Sequence, residues 1–168
     1  MSGIVIRPTF NYKNDITKPV RAGGVILYKR INNDIFILLI KKIIGETDRY
    51  EDIGGKTDII DKDEFDTISR ETQEETNCII NQKIIKNQII NSNKSIYSFK
   101  SKYLLYFIKA NKYEKKLTTE QFGFTENHDS IERTVHWVNI KLIIENKINL
   151  HPRLKLMGDE LKDMFSLI

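Results

Sequence analysis

Runs of branched aliphatic residues give way along this chain to apolar positions at helical spacing, and the change marks out its elements. Residues 20–28 and 35–43 are rich in branched aliphatic side chains and are separated by Asn32, Asn33 and Asp34. That arrangement predicts two strands joined by a hairpin turn. The polar stretch 45–49 predicts a loop. Residues 50–53 predict a short extended piece running into Gly54-Gly55, where the backbone either turns tightly or passes close to another group. Beyond it, Phe65, Ile68 and Thr72 recur at helical spacing. A helix is therefore predicted from about Asp61 or Asp63 to Thr76, with Asp61, Asp63 and Glu64 suited to its start and Asn77 to a left-handed end. Residues 84–90, 95–109 and 133–140 predict further strands, the last two aromatic and β-branched in character. In 153–165, Leu154, Met157, Leu161 and Met164 or Phe165 form one stripe after Pro152, which predicts a packing helix. Together these elements imply an α/β chain built on a mixed sheet.

At 168 residues the chain is long enough for one substantial core and too short for two ordinary domains. No repeat, proline-rich linker or low-complexity block divides it, so a single domain over 1–168 is expected. An apolar fraction of 40% with 30% charged residues excludes a disordered chain. Cys78 is the only cysteine, which excludes an internal disulfide and a Cys/His zinc site and favours a reducing compartment. Residues 1–10 lack the apolar stretch of a signal peptide, and no run reaches the roughly 18 apolar residues of a membrane span. A cytoplasmic protein without a membrane partner is expected. Lys and Arg number 27 against 23 Asp and Glu, a net charge of +4 that suits a polyanionic substrate without requiring one.

Candidate chemistry concentrates in the predicted central helix. Glu71, Glu74 and Glu75 stand at i, i+3 and i+4, a spacing that brings three carboxylates onto one helical face. Like charges about 4 Å apart repel by roughly 4 kcal/mol at an effective dielectric near 20, so a preorganised cluster makes sense mainly around a cation. Oxygen-only ligands select a hard ion, Mg2+ first and Mn2+ second. Glutamates are also good helix formers on solvated faces, and for an isolated cluster that plainer reading would prevail. Context shifts the balance, because Arg70 precedes the cluster, Gly54-Gly55-Lys56 lies one loop upstream and Asn77 closes the helix.

Residues 55–78 together resemble the box of the Nudix hydrolase family. That pattern reads G, five residues, E, seven residues, R-E-U-x-E-E-x-G-U, with U aliphatic. Gly55 matches the opening glycine, and Arg70-Glu71-Thr72-Gln73-Glu74-Glu75-Thr76-Asn77-Cys78 keeps the Arg, all three Glu and a small apolar residue at the close. Three departures stand out. Fourteen residues separate Gly55 from Arg70 where the pattern has thirteen, so Asp61, Asp63 and Glu64 all compete for the place of the first Glu. Asn77 replaces the glycine, a mild change at a left-handed helix end. Thr72 replaces an aliphatic residue, where its methyl can pack and its hydroxyl can bond the preceding turn.

The resemblance implies an α/β/α sandwich around a mixed sheet and divalent-metal-dependent hydrolysis of a phosphoanhydride bond in a phosphorylated small molecule, first of all a nucleotide. It implies Glu74 and Glu75 as metal ligands and Glu71 as a ligand or water-orienting base. Arg70 would fix the glutamates, and the Gly55 carbonyl is a further candidate ligand. A later acid often completes such sites, and Glu126 and Glu132 are the candidates here. Lys56 is a candidate phosphate contact, His128 and His136 are available acid or base groups, and Tyr50, Tyr103, Tyr106, Phe107 and Phe124 are candidates to stack a base. The box reports the bond and not the leaving groups. Removal of RNA caps or 5′ phosphates, drawing on Lys83, Lys86, Lys94, Lys100, Lys102, Lys112, Lys115 and Lys116, stays open. So do diphosphoinositol hydrolysis and a ligand-binding domain without catalysis.

Overall fold

The computed structural model describes residues 6–168; of the N-terminal stretch without a signal-like run, residues 1–5 lie outside the described residues. Strands β1 (Phe10–Asn11) and β2 (Pro19–Val20) pair with each other ahead of the main sheet. There follow β3 (Ala22–Ile31), β4 (Asp34–Ile44), β5 (Thr47–Glu51) and β6 (Ile53–Lys56), then helices α1 (Glu64–Glu75) and α2 (Gln82–Ile90). The chain returns through β7 (Ser95–Ser98) and β8 (Tyr103–Lys109), a short α3 (Thr119–Phe122) and a small β9 (Thr125–Glu126) and β10 (Ile131–Glu132) ribbon. It ends with β11 (Thr134–Asn139), α4 (Ile140–Ile144) and α5 (Pro152–Leu167).

The main sheet is mixed, with order β11-β4-β3-β8-β7, and only β3 and β8 run parallel. Strands β3 and β4 pair only near their hairpin, at Tyr28–Ile31 with Asp34–Ile37, and then diverge. Strand β5 pairs with the far end of β4, and β6 pairs with the start of β3. The segment from Thr47 to Lys56 thus fills the gap between them and carries Gly54-Gly55 through the middle of the molecule.

Helices cover both faces. One core packs Ile68 of α1 and Ile85 and Ile89 of α2 against Val25, Leu27, Leu38, Ile40 and Leu104. The other packs Leu154, Met157, Leu161, Met164 and Phe165 of α5 against Ile26, Ile37, Leu39, Leu105 and Phe107. Alternate residues of β3, β4 and β8 feed opposite cores, which is the period of two that buries a sheet on both sides. The expected sandwich and the stripe of the last helix are both present. Among the described residues, no helix is long and apolar enough to cross a membrane.

Three sequence expectations change, and one open alternative is decided. Residues 84–90 form helix α2, capped by Asn81, whose side chain accepts from Lys83 and Ile84 N–H; Ile85 and Ile89 bury at helical spacing. The β-branched Ile run suggested a strand, and packing against α1 overrides that propensity. The expected loop 45–49 contains most of β5. Residues 95–109 fold as two antiparallel strands around a turn at Lys102. Gly54-Gly55 is extended and paired with Gly24 and Gly23, so close approach, not a turn, explains the pair.

Candidate active site

Helix α1 begins at the N-cap Asp63, whose carboxylate accepts from Asp66 N–H (2.7 Å). It ends in a left-handed turn at Asn77 (φ 52°) and Cys78 (φ 63°). Cys78 N–H donates to the Gln73 carbonyl and Asn77 N–H to that of Glu74, the paired bonds of a Schellman end. Thr72 is buried and its hydroxyl bonds the Ile68 carbonyl (2.6 Å), as expected from sequence. Cys78, the apolar residue at the close of the pattern, is exposed, while Ile80 two residues on is buried.

The organising side chain is Arg70. Its Nε donates to Asp61 Oδ1 (2.9 Å) and one terminal nitrogen to Asp61 Oδ2 and the Lys56 carbonyl (both 3.0 Å). The other terminal nitrogen bridges Glu71 Oε1 and Glu74 Oε2, each at 2.9 Å. Among the three competing acids, Asp61 is the one that meets Arg70; Asp63 caps the helix, and Glu64 is buried with its carboxyl pushed up by burial. Burial disfavours the Arg70 cation, but Asp61, Glu71 and Glu74 outweigh it and hold Arg70 above its ordinary value. Burial likewise disfavours the Asp61 anion, and Arg70, a backbone donor and Thr67 more than reverse it.

Strand β6 lies directly under these carboxylates. A Cβ on Gly55 would stand 2.2 Å from Glu71 Oε2, so any larger residue there would push the Glu71 carboxylate aside. Gly54 N–H donates to Glu75 Oε2 at 2.6 Å. Burial pushes the Glu75 carboxyl well above its usual range, against the pull of Lys42 and of that N–H. Burial also raises Glu71, with Arg70 opposing it.

Glu126 joins this neighbourhood and Glu132 does not. Glu126 is 5% exposed, its carboxyl raised by burial and by Asp129, and its charge is felt at Glu75. Glu132 is exposed on the edge ribbon. Lys56 is exposed at the end of β6. His128 is exposed beside Asp129, and His136 is half-buried and held below its ordinary pKa by burial and then by Lys41. Of the five candidate stacking aromatics, Tyr103, Tyr106 and Phe107 are buried in the cores and Tyr50 packs against one of them. Phe124 is 60% exposed and lines a cleft of about 540 Å³ with Lys41, Thr125, Arg133 and His136. Glu71, Glu74 and Glu75 do not line that cleft; Arg133 links the two, because its guanidinium also donates to the Glu75 carbonyl (2.7 Å).

Sequence reading missed three contributors. Lys42 sits at an inward position of β4, in register with the buried Leu38 and Ile40, and pairs with Glu51 while facing Glu75 and Glu126. A lysine at an inward position of an apolar strand was the available signal. Glu51, next to buried Asp52 and just before the glycine pair, carried a similar one. Arg133, 3% exposed, gave none.

A divalent cation fits the donor chemistry of this region. All the acids offer oxygen alone. Among the described residues, the six acids Glu51, Asp61, Glu71, Glu74, Glu75 and Glu126 face Lys42, Arg49, Arg70 and Arg133, with His151 near Glu51 and Arg153 committed to Asp52, which leaves negative charge uncompensated at partly buried positions. The carboxylates are not gathered around one point, however. Arg70 draws Glu71 and Glu74, Glu75 turns to Gly54, and among the described residues no three such side chains form a ready ligand set.

No family model and no curated protein matches this chain. Among solved structures, the crystal structure of C. elegans Ap4A hydrolase aligns at 23% identity with a TM-score of 0.52, covering 88% of this chain and 96% of that one. A binary complex of a C. elegans Ap4A hydrolase aligns over the same shares at 20% identity and a TM-score of 0.48. The first likeness shows the fold, the Nudix-type α/β/α sandwich expected from the box.

Proposed function

We propose that a chain with this fold and this arginine-centred acid cluster is a Nudix hydrolase that cleaves a phosphoanhydride bond in a nucleotide. The observation that carries the reading is the Arg70 fork, which ties Asp61, Glu71 and Glu74 to the end of a glycine strand that runs close against the Glu71 carboxylate. An ordinary solvated helix face has no use for such an anchor. Glu74 and Glu75, with Glu71, the Gly55 carbonyl and Glu126, are the groups that would hold Mg2+ or Mn2+. When bound, the cation supplies charge neutralisation at the diphosphate and a lowered pKa for the attacking water.

The chain's own residues do the remaining work. Arg70 fixes the carboxylate orientations through charge-assisted bonds. Glu71, whose carboxyl is raised above its ordinary value by burial, is the group to accept a proton from the attacking water. Lys56, exposed at the mouth of β6, meets a phosphate oxygen, and Phe124 offers its open face to a base in the cleft beside Arg133. The C. elegans structure is named for Ap4A, so Ap4A is the first substrate to try.

The test is product release from Ap4A, nucleoside triphosphates, sugar nucleotides, diphosphoinositols and capped RNA with Mg2+ or Mn2+, for wild type, Glu74→Gln and Glu75→Gln. The expected result is one class cleaved, with a loss in both variants beyond the roughly 10- to 100-fold typical of residues that merely support a metal site. No turnover by the folded wild type on any substrate would favour a ligand-binding domain instead.

A further inference from the structure

Asn77 stands where the box has glycine, and its backbone alone gives no reason for the exchange. At φ 52° glycine would close the helix with less strain than any other residue. The carboxamide supplies the reason. Its Nδ2 donates to the Phe122 carbonyl (2.9 Å) and to the Thr125 carbonyl (2.8 Å), while its Oδ1 accepts from Asn127 N–H (2.8 Å). Those partners bracket Glu126 in sequence. Every bond crosses from the end of α1 to a loop some 45 to 50 residues later.

Arg133 grips the same loop from the other side. Its guanidinium donates to the Phe122 carbonyl (3.1 Å), the Gly123 carbonyl (2.8 Å) and the Glu75 carbonyl (2.7 Å). No carboxylate lies within ion-pair distance of it among the described residues, so this buried cation is spent on backbone oxygens. The loop thus has one clamp through Asn77 and a second through Arg133, both anchored in the last turn of the helix that carries Glu74 and Glu75.

We propose that Asn77 is a positioning residue: its carboxamide, with Arg133, seats the 122–127 loop on the end of α1 and thereby fixes Glu126 beside Glu75 at the metal site. The inference rests on the reading of Glu74 and Glu75 as metal ligands. The Asn in place of glycine exchanges some backbone ease for a tether that glycine cannot make. Asn77 acts through Glu126 and touches neither cation nor substrate.

The test is Mn2+ affinity, by electron paramagnetic resonance of free Mn2+, for wild type, Glu74→Gln, Glu126→Gln, Asn77→Gly and the Asn77→Gly/Glu126→Gln double variant. Asn77→Gly keeps the helix end and removes only the tether. Asn77→Asp, which also tolerates the left-handed backbone but loses both donated bonds, is the second variant should glycine disturb folding. Either single change is expected to weaken Mn2+ binding roughly tenfold, with the Asn127 amide exchanging faster with solvent in Asn77→Gly. In the double variant the Asn77 change adds nothing to the Glu126 loss, as two residues acting as one unit require. Wild-type affinity in Asn77→Gly and Asn77→Asp, or a loss that adds in full to that of Glu126→Gln, overturns the positioning role. Wild-type affinity in Glu74→Gln would instead overturn the metal site on which it rests.

Discussion

The side chain of Arg70 does two jobs that no other residue here could share. It neutralises Asp61, only 2% of whose side chain is exposed, through two parallel bonds, and it spends its remaining donors on Glu71, Glu74 and the Lys56 carbonyl. Lysine, a point charge on a flexible stem, cannot reproduce that fork. Replacing Arg70 by Ala strands Asp61 as a buried charge, and the expected cost is roughly 3–5 kcal/mol of stability by chemical denaturation. Arg70→Lys is expected to recover part of that stability while leaving hydrolysis far below wild type, because the glutamates lose their shared anchor. Equal activity in Arg70→Lys and wild type would remove Arg70 from the account. This residue was legible in the sequence, since Arg70 and the three glutamates sit at fixed helical offsets. Which acid it would meet was not, because Asp61, Asp63 and Glu64 lie within four positions and only the path of the chain after β6 separates them.

Helix α1 and strand β6 form a single working unit. Ile68 and Thr72 bury on the same side of the helix that lays Glu71 and Glu75 against Gly55 and Gly54. Gly55→Ala is expected to cost roughly 1–3 kcal/mol by overpacking and to displace the Glu71 carboxylate. Hydrolysis should therefore fall more than stability, measured as activity at a temperature where the variant remains folded. A fully active, equally stable Gly55→Ala would mean that the helix does not lie this close to the strand. The period of three to four in 65–72 made α1 readable from sequence, and the runs of branched aliphatics on either side of Asn32-Asn33-Asp34 did the same for β3 and β4. Helix α2 was not readable. Its Ile84, Ile85, Ile89 and Ile90 satisfy strand propensity, and only the Asn81 cap and the partner helix α1 decide otherwise. The glycine pair was recognised as special, yet its strand pairing with Gly23 and Gly24 depends on β3 and β4 splaying apart, a tertiary event.

Across the whole molecule, one face of the sheet is given to stability and the other to the site. On the α5 side, buried Asp52 is held by Arg153 (2.7 Å) and the Tyr103 hydroxyl, and on the α1 side its neighbour Glu51 turns toward Lys42. Concentrating Glu71, Glu75 and Glu126 on the α1 side has a stability consequence with a definite sign. Folding raises the Glu75 carboxyl above its ordinary value near 4.5, so the folded state binds more protons than the unfolded one. Metal-free protein therefore loses stability as pH rises from about 4.5 through the raised value. Glu75→Gln is expected to flatten that decline in thermal melts, and the stabilisation by Mg2+, which needs ionised carboxylates, is expected to grow with pH in wild type and to vanish in the variant. The most direct test of the central claim is the rate of hydrolysis of the best substrate in the panel, titrated with Mg2+ after chelation, in wild type and Glu75→Gln. The account predicts no turnover without metal, saturation as Mg2+ is restored and near-complete loss in Glu75→Gln; turnover that survives chelation, or equals wild type in the variant, would contradict it.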